Sequence, residues 1–417
     1  MRDIDMSIRK SLSLIVGIAL TCFSFNAVAD SKPKPTPDKP SKPAPSAVEV
    51  VPSPPELGES AYLLMDYATG EVLIGKDIHK RIIPASLTKM MTSYVIGQEI
   101  EAGRLDPEEM VTISQNAWSK NYGDSSKMFI EVGKQVSVRD LNLGIIIQSG
   151  NDACIAMAEH LAGSEEAFAN LMNNWAQYIG MKDSNFVNSH GLHDENHYSS
   201  AYDMAILGRA LIHDLPDEYK IYSQKEFTFN GIKQSNRNRL LWDNTLHVDG
   251  IKTGHLSQVG YNLVTSAVDP ANNFRLISVV IGANSERQRA DDSKALLTYG
   301  FRFYKPVPVI KKGKPLIEQK IIYGDKSKVK LGSGRDITVA VPRNKIDNLK
   351  VSIKLNDKNK LEAPIKSGVE VGTIFIRTSD DELIHQAPLI TLESVEEGGW
   401  LDKSWDWTVS SISDLFS

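Results

Sequence analysis

Pro84-Ala85-Ser86-Leu87-Thr88-Lys89-Met90-Met91-Thr92-Ser93-Tyr94-Val95 is the stretch on which the reading of this chain turns. Leu87, Met90, Met91, Tyr94 and Val95 follow the i, i+3, i+4, i+7, i+8 pattern of a helix buried along one side, and Pro84 suits a helix start. Ser86 and Lys89 lie three apart within that start, so they share a face and can meet across one turn. Upstream, Tyr62 to Met65 and Val72 to Ile74, separated by Tyr67-Ala68-Thr69-Gly70, predict a hairpin. Downstream, Asp152 to Leu161 predicts a second helix stopped by Gly163. Tyr261 to Val268 and Arg275 to Ile281 predict neighbouring strands. Together these make a mixed α/β domain with a sheet, spanning residues 58–305.

Beyond about Lys305 the texture changes to short alternating runs such as Val351-Ser352-Ile353-Lys354-Leu355 and Val369 to Ile376. Gly332, Gly334, Pro342, Asn356-Asp357 and Gly368 punctuate them, which predicts a small all-β domain over residues 306–396.

The two ends have their own character. Arg9 and Lys10, an apolar run from Leu12 to Phe25, and Ala27-Val28-Ala29 form the three-part pattern of a secretory signal over residues 1–29. Cleavage after Ala29 leaves a chain beginning at Asp30. Residues 30–57 hold nine of the chain's 19 prolines, interspersed with Lys32, Lys34, Lys39 and Lys42, and read as a solvated spacer. Fully extended, it reaches about 80 Å. Over residues 397–417, Trp400, Leu401, Trp405, Val409, Ile412 and Phe416 recur at helical spacing, predicting an amphipathic helix suited to a membrane surface.

The 417 residues carry 47 basic and 52 acidic side chains, a net charge of −5. That balance lacks the electrostatic footprint of a nucleic-acid protein. Two cysteines, Cys22 and Cys154, cannot build a disulfide framework or a thiolate metal cage.

Three short motifs follow one another: Ser86-Leu87-Thr88-Lys89, Ser149-Gly150-Asn151 and Lys252-Thr253-Gly254-His255. Each is weak alone; their joint order is specific. A serine hydroxyl needs a base within hydrogen-bond reach to act as a nucleophile. Lys89 can be that base only if neutral, which requires burial and a nearby cation, for which Lys252 is the candidate. The backbone N–H groups of Ser86 and His255 are candidate oxyanion donors. Ser149 is placed to carry a proton to the leaving group, and the Asn151 amide to hold a substrate carbonyl. This chemistry needs no metal or cofactor.

With these motifs the chain resembles the low-molecular-mass penicillin-binding proteins that act as serine D-alanyl-D-alanine carboxypeptidases. The likeness runs from about Glu59 to the C-terminus. It includes Ser149-Gly150-Asn151-Asp152-Ala153-Cys154, His190-Gly191-Leu192, Tyr198-Ser199-Ser200-Ala201 and Val248-Asp249-Gly250-Ile251-Lys252-Thr253-Gly254-His255. The resemblance implies a β-lactamase/transpeptidase-like domain, an antiparallel sheet with helices, followed by a β-rich domain and a C-terminal anchor. It implies Ser86 as the acylated nucleophile, Lys89 as base, and Lys252 to His255, with Gly254, along the substrate strand. Thr253 and Arg289 are implied at the substrate carboxylate, with Arg237 as a further cation. The implied substrate is the peptidoglycan stem pentapeptide, with β-lactams as covalent inhibitors. The implied location is the periplasmic face of the inner membrane.

The alternatives on the same scaffold are a DD-endopeptidase and a β-lactamase; a non-catalytic cell-wall binding module is the alternative of another class. Class A β-lactamases add a deacylating glutamate, and Glu226 with Asn230 matches its pattern but falls far from the middle motif. Cys154, among Ala153, Ile155 and Ala156, reads as a packed core residue. His190, His193 and His197 match no strong zinc spacing.

Overall fold

The computed structural model describes residues 50–356 and 361–399. Strands β1 (Ala61–Asp66) and β2 (Val72–Lys76) form the expected hairpin. The Asp66 carboxylate closes its turn, accepting from Thr69 Oγ1 at 2.6 Å and from the N–H groups of Ala68 and Thr69 at 3.3 Å. The next element differs from the expectation of a helix buried along one side. A 3₁₀ turn, Ala85–Thr88, precedes α1 (Lys89–Glu101), and every residue from Lys89 to Gly97 is buried. Two cores claim the helix: Met90, Met91, Tyr94 and Val95 pack into one, and Ile96 into another with Met128, Ile145 and Cys154. An all-round apolar surface is what a helix between two cores requires.

Strands β3 (Met110–Thr112) and β4 (Gln135–Ser137) pair and lead into α2 (Val138–Leu143). A wide turn over Gly144–Gln148 then delivers Ser149 in the left-handed region, φ 61°. Helix α3 (Asn151–Ala162) ends at Gly163, φ 77°, as the sequence predicts. Helices α4 (Glu165–Ile179) and α5 (Ala201–Asp214) are both capped by serine: Ser164 accepts from the Ala167 N–H and Ser200 from the Asp203 N–H, each at 3.1 Å. A hairpin, β5 (Glu226–Phe229) and β6 (Ile232–Ser235), precedes the antiparallel meander β7 (His247–Leu256), β8 (Gly260–Asp269) and β9 (Phe274–Ala283). The five-stranded sheet has the order β2-β1-β9-β8-β7.

Helix α6 (Glu286–Phe303) covers one face of that sheet, where Leu296 and Leu297 meet Leu64, Leu276 and Val280. The opposite face, Leu63, Met65, Ile277 and Val279, packs on α1 and α5 through Met91, Met204 and Leu207. Burial on both faces is why these strands read as continuous apolar runs rather than alternating ones.

The chain after α6 is all β: β10 (Tyr304–Ile310), β11 (Pro315–Ile322), β12 (Lys328–Gly332), β13 (Ile337–Pro342), β14 (Lys350–Leu355), β15 (Leu361–Glu362), β16 (Glu370–Arg377) and β17 (Leu383–Thr391). One sheet has the order β14-β16-β17-β12-β11-β15, and β10 pairs with β13. Alternate residues such as Ile374, Ile376 and Leu389 enter a core of their own with Val329, Leu331 and Val339. His385 joins this part to the first hairpin, its Nδ1 2.9 Å from Glu71 Oε1. The signal, the spacer up to residue 49 and the tail from Trp400 lie outside the described residues.

The segment between α4 and α5 crosses the 3₁₀ turn at closest range at Gly191. With φ 87°, its backbone conformation favours glycine, and an added Cβ would lie 1.9 Å from the Ala85 carbonyl oxygen. Gly191→Ala is expected to destabilise the fold by about 2–5 kcal/mol, combining the left-handed cost with overpacking. Urea unfolding checks this; a loss under about 1 kcal/mol contradicts the close approach.

Candidate active site

The 3₁₀ turn brings Ser86 and Lys89 together more directly than an α-helix does, because residues three apart eclipse in that geometry. Lys89 Nζ lies 3.1 Å from Ser86 Oγ, 2.7 Å from Asn151 Oδ1 and 2.6 Å from the His190 carbonyl oxygen. A neutral amine has two N–H donors and one lone pair. Here the amide and carbonyl oxygens can only accept, so they take the two N–H groups. The lone pair is left for the Ser86 hydroxyl, which can donate.

Lys89 is fully buried while Ser86 is half-exposed at the cleft floor. Burial is the main reason the Lys89 amine is lowered to about 8, and Arg237 is the cation that adds to it. Lys252, the candidate second charge from the sequence, is buried beside the cleft as well. Its own amine is pushed well down by burial, then by Lys89 and Arg237. It lies 3.1 Å from Ser149 Oγ and donates to the Thr253 carbonyl at 3.3 Å. Ser149 therefore sits on the second lysine as Ser86 sits on the first.

These groups border a cleft of about 620 Å³ whose lining includes Ser86, Ser149, Asn151, Arg237, Thr253, Gly254, His255 and Arg289. Lys89 and Lys252 lie buried beside it, so all ten residues singled out from the sequence come to one place. Gly254 lets β7 pass the 3₁₀ turn: a Cβ there would lie 2.9 Å from the Pro84 carbonyl. His255 stacks on Tyr261 with ring centres 4.0 Å apart. Arg289, 2% exposed, donates to the Gly254 carbonyl at 3.3 Å and the Arg237 carbonyl at 3.5 Å. Burial lowers it to about 10. Arg237 Nη1 donates to Ser126 Oγ at 2.6 Å.

Sequence reasoning missed the 123–130 loop, which contributes Ser125, Ser126, Lys127 and Phe129 to the lining. It also missed His190, whose contribution to Lys89 is a backbone carbonyl and so leaves no trace in residue type. His190 and His197 are struts of that segment. His197 Nδ1 accepts from the Val187 N–H at 3.2 Å, which leaves Nε2 to donate to Thr88 Oγ1 at 2.7 Å. Burial holds His197 down at about 4 and His190 at about 3, so both are neutral. Cys154 is fully buried, and burial raises its thiol to about 12. Glu226 is on the β5–β6 hairpin, paired with Lys233 at 2.7 Å; the carboxylates in the cleft lining are Asp124 and Glu286.

A family model described as D-alanyl-D-alanine carboxypeptidase matches residues 48–285, and one for the C-terminal domain of penicillin-binding protein 5 matches residues 304–397. The chain belongs to the D-alanyl-D-alanine carboxypeptidase family. It is 48% identical to the D-alanyl-D-alanine carboxypeptidase DacA of Haemophilus influenzae over 88% of this chain and 92% of the relative. Penicillin-binding protein 5 of the same organism superimposes with a TM-score of 0.78 at 48% identity, over 83% of this chain and 99% of that one. Penicillin-binding protein D2 of Listeria monocytogenes, solved in an ampicillin-bound form, matches with a TM-score of 0.54 at 27% identity, over 60% of this chain and all of that one. D-alanyl-D-alanine carboxypeptidase activity is therefore favoured over β-lactamase, endopeptidase or a non-catalytic binder.

The lowered Lys89 amine carries a pH signature. At pH 7 an amine titrating near 8 is neutral in about a tenth of molecules, against about 0.03% at its ordinary value. Acylation by a penicillin is expected to rise as pH passes upward through about 8, where Lys89 loses its proton. Stopped-flow acylation between pH 5 and 10 would show the limb; a flat profile assigns the base elsewhere.

Proposed function

We propose that Ser86 and Lys89 are the nucleophile and general base by which this carboxypeptidase removes the terminal D-alanine of peptidoglycan stem pentapeptides. The observation that carries this is the donor pattern at Lys89, whose Asn151 and His190 acceptors leave the lone pair for Ser86 Oγ at 3.1 Å. Ser86 Oγ attacks the carbonyl carbon of the scissile D-alanyl bond as Lys89 takes its proton. The oxyanion is received by the backbone N–H groups of Ser86 and His255, both of which line the cleft. Ser149, in contact with Lys252, relays the proton taken by Lys89 to the departing D-alanine amine, which leaves Ser149 protonated and Lys89 neutral again. Asn151 orients the substrate amide, and Gly254 leaves the peptide room to lie along β7. Thr253 and Arg289, with Arg237 nearby, face the substrate's terminal carboxylate, an anion suited to the positive side of the cleft. Water then opens the Ser86 ester with Lys89 again as base.

A β-lactam forms the same ester but keeps its amine tethered, so the adduct blocks the site. The ampicillin-bound form of the Listeria relative supports this reading. Fluorescent penicillin should label the protein covalently and leave Ser86→Ala unlabelled. Equal labelling of the two sinks the nucleophile assignment.

The proposed organisation is a signal over 1–29, a spacer over 30–57, a peptidase domain over 58–305, a β-rich domain over 306–396 and an anchor over 397–417. Among the described residues no helix is long and apolar enough to cross a membrane. Attachment to the periplasmic face of the inner membrane is assigned to the tail on the spacing of Trp400, Trp405, Ile412 and Phe416. A chain ending at Gly399 is expected in the soluble fraction after lysis; undiminished recovery with membranes removes the tail as anchor.

A further inference from the structure

We propose that Asp152 is a positioning residue for acylation: its buried carboxylate bolts the 123–130 loop to the start of α3, so that Ser125 and Ser126 hold Asn151 and Arg237 in place. Asp152 is fully buried. Its Oδ1 accepts from the N–H of Met128 at 2.8 Å and of Ala153 at 3.0 Å. Its Oδ2 accepts from Phe129 at 2.9 Å and Ile130 at 3.3 Å. Among the described residues no cation pairs with it; four backbone N–H groups stabilise its charge in place of water.

Other contacts also hold the loop: Met128 and Ile130 are buried in the core, and the Lys127 and Ile130 carbonyls accept from Gln234 Nε2 at 3.3 Å and the Ser119 N–H at 3.2 Å. The Asp152 carboxylate adds three backbone N–H bonds in succession. Residues 123–131 contain no strand or helix, and Phe129 sits at φ 69°, a conformation that bulky residues rarely adopt. A strained residue stays so only where its surroundings over-determine it, and here the restraint is the Asp152 carboxylate on the Phe129 N–H. What the loop returns is specific. Ser126 accepts the Asn151 N–H on its carbonyl at 2.9 Å, and Ser125 Oγ accepts from Asn151 Nδ2 at 3.0 Å. Ser126 Oγ takes the 2.6 Å bond from Arg237. The Asn151 Oδ1 that receives Lys89 is thus aimed through Ser125, and Ser125 through Asp152. The same geometry accounts for the middle residue of Ser149-Gly150-Asn151: a Cβ on Gly150 would lie 2.9 Å from Asp152 Oδ1 and 3.0 Å from the Met128 nitrogen.

This rests on the reading of Ser86 and Lys89 given above. Asp152→Asn keeps the side chain's shape but turns one acceptor into a donor facing N–H groups, so the loop loses its hold. The charge change adds a readout that a merely structural role would not produce. Lys89 faces Asp152 and Cys154 on α3, Arg237 beyond β6, Lys252 on β7, and His190 and His197 on the connecting segment. Of these, the Asp152 carboxylate favours the protonated amine. Its removal should move the acidic limb of acylation to lower pH.

The experiment measures the rate of covalent labelling by a fluorescent penicillin against pH for the full chain, Asp152→Asn, Ser125→Ala, the double variant and Ser86→Ala. The expected plateau for Asp152→Asn is about tenfold to a hundredfold below the parent, with the limb displaced downward in pH. Ser125→Ala should also slow labelling, and the double variant should be no slower than Asp152→Asn, since both act through one contact. A folded Asp152→Asn with the parent's plateau, or an unmoved limb, overturns the proposal. If that variant does not fold, Ser125→Ala decides, and parental labelling there overturns it. Labelling of Ser86→Ala would instead overturn the nucleophile reading beneath it.

Discussion

An ammonium group taken out of water is costly unless it is paired or loses its proton. The Lys89 amine is wholly enclosed, and its hydrogen-bond partners are the neighbouring Ser86 and two groups from distant parts of the chain, Asn151 and His190. That arrangement makes the fold and the chemistry one problem. The amine can sit in the interior only if the 3₁₀ turn, the start of α3 and the segment after α4 all reach it. Once they do, the same burial that makes the charge costly leaves a base able to work near neutral pH.

The supporting structure follows from this constraint. Helix α1, whose first residue is the buried lysine, is enclosed by two cores. Two neutral histidines hold the segment that presents the His190 carbonyl, and a neutral ring is the form that can accept one hydrogen bond and donate another. Glycine occurs at 191 and 254 because backbone passes the 3₁₀ turn there with no room for a Cβ.

Electrostatics divide the cleft from the rest of the molecule. The chain as a whole carries a charge of −5, yet Arg237, Arg289, Lys89 and Lys252 cluster at the site. Burial, with nearby cations adding to it, lowers the amines, while the guanidiniums, with far higher intrinsic proton affinity, remain charged. The outcome is a site that offers a neutral base and a positive field side by side, the combination an enzyme needs when its substrate ends in a carboxylate. Side-chain placement in the cleft depends on β7 of the sheet, which carries Lys252 and Thr253, and on α6, which carries Arg289.

Much of this was determined by the sequence itself. The hairpin, the stop of α3 at Gly163, the β8 and β9 strands and the all-β texture after residue 305 are legible because periodicity and turn residues act over a few positions. The Ser86–Lys89 pair is legible for the same reason, being one turn apart. Only the tertiary structure decided that α1 is buried on every side, that Arg237 lies close enough to press on Lys89, and that Asp152 bonds the 123–130 loop. Desolvation belongs to the neighbours of a group and not to its residue type, and a backbone carbonyl such as that of His190 is the same in every residue. Such properties exist only once remote segments have met.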